Sequence, residues 1–185
     1  GYRVRVAVRR PDLAGRAKML GNVGQIVPIQ ANLRNPASVE RAVAGADMVI
    51  NLVGVGIDGA KQSFTAVNTE GAIAVARAAK AAGANALVHV SALGVDTAAE
   101  VSTYARSKLA GEAGVLEAFP QAVILRPSLM FGQGDGFFNL MGTLARLFPV
   151  MPLIGGQSRF QPVYVGDVAE AIVKAAEGAV KTGRI

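Results

Sequence analysis

Residues 45–54 read Gly-Ala-Asp-Met-Val-Ile-Asn-Leu-Val-Gly, and the run Met48 to Val53 within them decides the fold. It is apolar except for Asn51 and shows no regular polar alternation, so it is expected to be a strand buried on both faces. That is the condition of a parallel sheet sandwiched between helices. Upstream, Val4 to Val8 alternates and is β-branched, and Gln25 to Gln30 forms a second strand. Between them Pro11-Asp12 breaks the chain, with Asp12 placed to cap a short helix ending near Leu20. After the turn Asn32 to Pro36, Asn35 or Ser38 is placed to cap a helix over Val39 to Val43.

Downstream the same alternation continues. Asp58 to Ser63 is a surface turn, Phe64 to Ala82 a helix closing at Gly83, and Leu87 to Val90 a short buried strand. Val101 to Phe119 is helical and stops before Pro120; Ala122 to Leu125 is a strand running into Arg126-Pro127. Helices follow over Phe137 to Phe148 and over Val168 to Ala176, the latter capped by Asp167. Alternating strands and helices with short connections predict a three-layer α/β domain built on a doubly wound parallel sheet. The alanine-rich helices are suited to lie close to that sheet.

The bulk composition narrows the function classes. The 185 residues fit one domain with a buried core. No apolar run approaches the roughly 18 residues of a membrane span, and Gly1-Tyr2-Arg3-Val4 has no signal-peptide pattern. The absence of cysteine removes thiolate nucleophiles, iron–sulfur ligation and disulfides, and a single histidine, His89, excludes a histidine-based metal cluster. No metal site is expected. The net charge of +6 is spread along the chain without interleaved aromatic residues, which speaks against nucleic acid. A phosphorylated cofactor, an acidic partner or an anionic membrane surface suits it as well.

Tyr104 and Lys108 lie one helical turn apart and share a face. A nearby ammonium favours phenolate, so the phenol is expected to titrate below its ordinary range and to exchange protons with a carbonyl or hydroxyl. Tyr-x-x-x-Lys alone is weak evidence, and a tyrosine packed on a lysine stem is the plain alternative. Context strengthens it. Ser91 follows the Leu87–Val90 strand at the carboxyl end, where open α/β sheets bind ligands. Gly54 and Pro127-Ser128 end other strands on the same edge. Arg9 and Arg10 follow the first strand where the adenosine ribose is read, and no acid ends that strand, so NADP(H) is expected over NAD(H). Asn32-Leu33 is placed to meet the adenine. His89, in mid-strand, reads as a core residue or one acting behind the site.

These pieces occur together as VRVAVRRP (4–11), MVINLVGV (48–55), AVNTEGAIAVARAA (66–79), LVHVSALG (87–94), YARSKLAGE (104–112), AVILRPSLMFG (122–132) and QPVYVGDVAEAI (161–172). In that order, over nearly the whole chain, they resemble the extended or atypical short-chain dehydrogenase/reductase superfamily. Within it, GQIVPIQANLRNPASVERAV (24–43), GDGFFN (134–139) and FQPVYVGDVA (160–169) look most like a bacterial form of the NAD(P)H-binding accessory subunits of respiratory complex I.

The resemblance implies an NAD(P)-binding Rossmann-type domain over residues 1–185. It further implies that the first strand, its Gly-x-x-Gly-x-x-Gly pyrophosphate loop and the C-terminal substrate-side portion are absent from this stretch. It assigns Tyr104 as the catalytic tyrosine, Lys108 as the ribose-binding lysine, and Leu52, Gly54 and Val55 to the adenosine and ribose. Asn68 turns toward the sheet edge, and Pro127 and Ser128 line the nicotinamide side. Ala92 stands where many members carry a catalytic serine or threonine, so Ser91 is either structural, leaving Tyr104 without its usual partner, or the candidate catalytic hydroxyl if the loop is shifted. That departure favours a cofactor-holding accessory component, tightly binding NADP(H), in contact with complex I subunits and peripheral to the cytoplasmic side of the inner membrane. An active NAD(P)-dependent oxidoreductase or sugar-nucleotide epimerase using Tyr104 and Lys108 is the alternative. The location expected is cytoplasmic.

Overall fold

In a computed structural model that describes residues 1–60, 62–148 and 159–183, the chain is a Rossmann-type α/β fold with parallel strands. Strand β1 (Val4–Val8) pairs in parallel with β2 (Ile26–Gln30), Val6 opposite Pro28. Strands β3 (Met48–Asn51), β4 (Ala86–Val90) and β5 (Val123–Leu125) form a second parallel set with β4 in the middle. Asn51 lies opposite His89, and His89 opposite Ile124. A short parallel pair, β6 (Met130–Phe131) and β7 (Val163–Tyr164), completes the described ladders. The sequence 182–185, Thr-Gly-Arg-Ile, reads as the start of a further strand; Thr182 and Gly183 form a bend instead, and residues 184–185 lie outside the described residues.

Helix α1 is a single turn, Gly15–Lys18, preceded by a 3₁₀ turn at Pro11–Leu13. Asp12 caps neither. It pairs instead with Arg10 at 2.9 Å, because Pro11 starts the 3₁₀ turn one residue before it. In α2 (Pro36–Val43) Asn35 is the cap, its Oδ1 accepting the Ser38 N–H at 3.3 Å, since Pro36 is suited to the first helical position. Ser38, the other candidate, is buried and accepts the Asn32 N–H at 2.9 Å.

The helix expected over 64–82 divides into a π-helical segment, Thr65–Gly71, and α3, Ala72–Ala81. The one expected over 101–119 is α5 (Thr103–Ala118), begun by Ser102 accepting the Ala105 N–H at 3.2 Å, with a short α4 (Val95–Ala98) before it. Helix α6 spans Phe137–Leu147 and α7 spans Val165–Ala176. In α7 Asp167 sits inside the first turn rather than at the cap, where its charge still meets the positive end of the helix dipole. No helix among the described residues is long and apolar enough to cross a membrane.

Among the described residues two clusters form the core, one on each face of β3–β4–β5. Val39, Val43, Val49, Val75, Leu87 and Val115 belong to the cluster that includes residues of α2, α3 and α5. Val88, Val123, Ala175 and Ala176 fill the other, against α7. The expectation that Met48–Val53 is buried on both faces fails from Ile50 onward, where Ile50, Leu52 and Val53 are exposed and only Asn51 is buried. Strand β3 bonds only to β4 on the described ladders, and the α7-side cluster reaches it at Met48 alone. The carboxyl end of β3 is thereby left open.

Helix α5 seats tightly on α3 and the π segment. A Cβ on Gly111 would overlap the Asn68 carbonyl oxygen, and one on Gly114 would overlap the Ile73 side chain. Those two glycines let α5 approach closely enough for a side chain in its first half to reach the backbone of β4.

Candidate functional site

That side chain is Lys108. Its residue is 3% exposed, and Nζ donates to the Val90 carbonyl at 2.8 Å. Burial pushes its pKa below the ordinary lysine value, while the Glu112 carboxylate pulls it back up. Tyr104, one turn earlier, packs edge-on against Phe64 with ring centroids 5.6 Å apart. Burial pushes the phenol up, opposite to the lowering expected from a lysine neighbour. The difference follows from geometry, because the ammonium is committed to the Val90 carbonyl rather than to the phenol.

Strand β4 contributes His89, and Ser91 follows its last residue directly. Ser91 is buried, its N–H donates to the Leu125 carbonyl at 2.7 Å, and its Oγ has no hydrogen-bond partner among the described residues. His89 is buried mid-strand, and its Nδ1 lies 3.1 Å from Asn51 Nδ2. The Val53 N–H donates to Asn51 Oδ1 at 3.1 Å, which fixes the amide orientation. The Asn51 NH₂ therefore donates to His89 Nδ1, and the imidazole proton is assigned to Nε2.

Burial first, and the Lys108 charge second, hold His89 down at about 4 from its usual 6.5. Below pH 6.5 the unfolded chain takes up a proton that the folded imidazole refuses, so stability falls as the pH drops from 6.5 toward 4. The expected loss is about 3 kcal/mol. Urea unfolding at a series of pH values checks it, and a His89→Gln variant should lose that part of the pH dependence.

Asn68 in the π segment is a clasp. Its Oδ1 accepts the Val55 N–H at 2.9 Å, and its Nδ2 donates to the Val55 carbonyl at 3.1 Å and to Ser107 Oγ at 3.2 Å. π-Helical insertions recur at functional sites because they re-aim single side chains. Gly54 lies between this clasp and Lys108, since a Cβ there would stand 3.5 Å from Asn68 Oδ1 and 3.6 Å from Nζ. Leu52 is an exposed apolar side chain beside it. The Pro127 carbonyl accepts the Leu93 N–H at 2.9 Å, and Ser128 is half-buried next to it.

The structure therefore brings Gly54, Val55, Asn68, Ser91, Tyr104, Lys108, Pro127 and Ser128 to the carboxyl ends of β3, β4 and β5. Arg9, Arg10, Asn32 and Leu33 form a second group at the ends of β1 and β2. No hydrogen bond or ion pair among the described residues joins the two groups. Arg10 is tied to Asp12, Arg9 is exposed and in no ion pair among the described residues, and Leu33 packs against Gly71. Two features escaped the sequence reading. One is the Asn51–His89 pair, for which the only signal was a single polar residue in each of two apolar strands. The other is a fork between Arg126 and Glu112, signalled only by Glu112 standing four residues after Lys108.

Over residues 1–185 the chain matches the NAD dependent epimerase/dehydratase family. It is 39% identical over 166 residues to the mitochondrial NADH dehydrogenase [ubiquinone] 1 alpha subcomplex subunit 9 of Arabidopsis thaliana, covering 89% of this chain and 41% of that protein. It is 35% identical over 173 residues to the ceramide reductase of Caulobacter vibrioides, covering 94% of this chain and 53% of the reductase. The chain thus spans about half the length of these relatives. Among solved structures, the Bordetella bronchiseptica enzyme WbmH in complex with NAD⁺ superimposes with a TM-score of 0.79 at 19% identity, over all of this chain and 66% of that one.

Proposed function

Because the chain belongs to the NAD dependent epimerase/dehydratase family, we propose that it binds NAD(H) or NADP(H) at the carboxyl ends of its strands and uses Tyr104 for proton exchange with a carbonyl or hydroxyl. The observation that carries this reading is Lys108, an ammonium buried beside Gly54 with one of its three protons given to Val90 and no partner for the other two among the described residues. A structural lysine is rarely buried without a paired acid. The residues fit a dinucleotide. The glycine keeps the approach to Nζ open, and the unpartnered Ser91 hydroxyl is a hydrogen-bonding group waiting at the same edge.

In this reading Lys108 holds ribose hydroxyls, and Leu52, Gly54 and Val55 line the adenosine side of the cleft while Asn68 keeps that loop in place. Pro127 and Ser128 line the far side. The bound nicotinamide supplies or accepts hydride. Tyr104, its phenol held protonated by burial, gives its proton to the carbonyl oxygen in the reductive direction and receives it back in the oxidative one. Ser91 polarises the same oxygen.

The expectation drawn from Ala92 ranked a cofactor-holding role first. The family membership, the similarity to a reductase and the unpartnered Ser91 hydroxyl favour turnover instead. The identity to the complex I subunit supports the second reading, a component that holds the dinucleotide within that assembly at the membrane surface. Cofactor absorbance with a panel of carbonyl substrates separates the two. Turnover abolished by Tyr104→Phe supports the first, whereas unchanged spectra and co-purification with respiratory subunits support the second.

Arg9 and Arg10 carry the preference for NADP(H), because a guanidinium forks onto a 2′-phosphate. With Arg10 partly neutralised by Asp12, Arg9 is the stronger determinant. Arg9→Glu should weaken NADPH by about 10- to 100-fold and leave NADH within a few-fold, as read by calorimetric titration. Equal losses for both would remove Arg9 from the site.

A further inference from the structure

Behind Lys108 lies a line of charges that the chemistry above leaves unused. Glu112 follows Lys108 by one turn of α5, on the same face, and is 1% exposed. Arg126, which follows β5, grips its carboxylate as a fork, with Nε 3.0 Å from Oε1 and Nη2 2.6 Å from Oε2. The remaining guanidinium nitrogen, Nη1, donates to Asp96 Oδ2 in α4 at 2.9 Å, and the Asp96 side chain is 56% exposed. Signs thus alternate from the surface inward as Asp96, Arg126, Glu112 and Lys108.

An Arg–Glu fork of this kind ties elements together anywhere in a protein. What distinguishes this one is the cation beyond it. No carboxylate among the described residues lies within ion-pair distance of Lys108, so its buried charge depends on a field from further off. The titratable and charged groups around it are Tyr104 and Glu112 on α5, His89 from β4, and beyond Glu112 the pair Arg126 and Asp96. Asn68 from the π segment is polar but uncharged. Tyr104 and His89 carry no negative charge near neutrality, and Glu112 is the group whose field raises the Lys108 pKa.

We propose that Glu112 is a positioning residue for Lys108, the buried counter-charge that, clamped by Arg126, holds the ammonium on the Val90 carbonyl beside Gly54. The proposal deepens the function proposed above, and rests on it, in one respect: the ammonium so held is the one that meets the ribose. The exposed end of the line, Asp96, serves the clamp and not the lysine.

The test is an NMR titration of the whole protein carrying ¹³Cε-labelled lysine, without dinucleotide, the Lys108 signal being assigned by its loss in Lys108→Arg. Glu112→Gln should lower the Lys108 midpoint by about one pH unit or more. Glu112→Asp, which keeps the charge but withdraws it by one methylene, should shift it in the same direction by less. Asp96→Asn should leave it near wild type. If Glu112→Gln does not fold, the Asp variant supplies the reading. A midpoint unchanged in whichever of the two Glu112 variants folds overturns the proposal, as does an Asp96→Asn shift as large as theirs. Dinucleotide affinity measured on the same samples should weaken at a lower pH in the Glu112 variants than in wild type. If none of them binds a dinucleotide, the proposed function fails, and the titration still decides the role of Glu112.

Discussion

Lys108→Met is expected to remove dinucleotide affinity while leaving the fold as stable as before, or more so. Methionine is similar in length and flexible enough to fill the lysine's channel through the core. The substitution leaves the Val90 carbonyl without its proton donor, at about 1 kcal/mol, but it also ends the cost of burying an ammonium. The Arg126–Glu112 fork remains complete, so no new unpaired charge is created. Against this, each hydrogen bond from the ammonium to a ribose hydroxyl contributes about 1.5–3 kcal/mol, and losing two corresponds to roughly 100-fold or more in affinity. Calorimetric titration and urea unfolding of the same variant check both halves. Lower stability with unchanged affinity would make Lys108 a structural residue and end the proposed site.

The largest structural effect is expected at Gly111. In Gly111→Val the new Cβ meets the Asn68 carbonyl oxygen, and a backbone atom cannot rotate aside as a side chain can. Asn68 is further held by its bonds to Val55 and Ser107, and Thr69 Oγ1 donates to the Ser107 carbonyl at 2.8 Å. The helix itself must therefore lift from the π segment. Overpacking typically costs about 1–3 kcal/mol, and a backbone clash in a two-helix contact lies at the upper end or above it. Because Lys108 precedes Gly111 by less than a turn, its reach to Val90 is lost as well. Gly142, inside α6 with open space around its Cβ position, is the contrast. Gly142→Ala should stabilise by about 0.5–1 kcal/mol through helix propensity alone. Thermal melts of the two variants should move in opposite directions.

The differences between sequence and structure fall where distant residues meet. Strand-helix alternation, the parallel sheet and the gathering of Ser91, Gly54 and Pro127 at one edge were legible, because each depends on local periodicity and on the geometry common to parallel strands. So was the shared face of Tyr104 and Lys108, which needs only the helical repeat. The direction of the Tyr104 phenol was misjudged for a physical reason. A spacing of four residues puts two side chains near one another, but says nothing of which third group takes the charge. Here that group is the backbone of β4, brought within reach by the close seating of α5.

Read by itself, the sequence determined the α/β class, the order of the elements and the strand ends that carry the candidate site. Only the tertiary structure decided the depth of Lys108, the clasp of Asn68 on Val55, the fork of Arg126 on Glu112 and the neutral state of His89. Periodicity is a property of neighbours along the chain. Burial, and with it the energy of every charge in this site, is a property of what the fold places across from it.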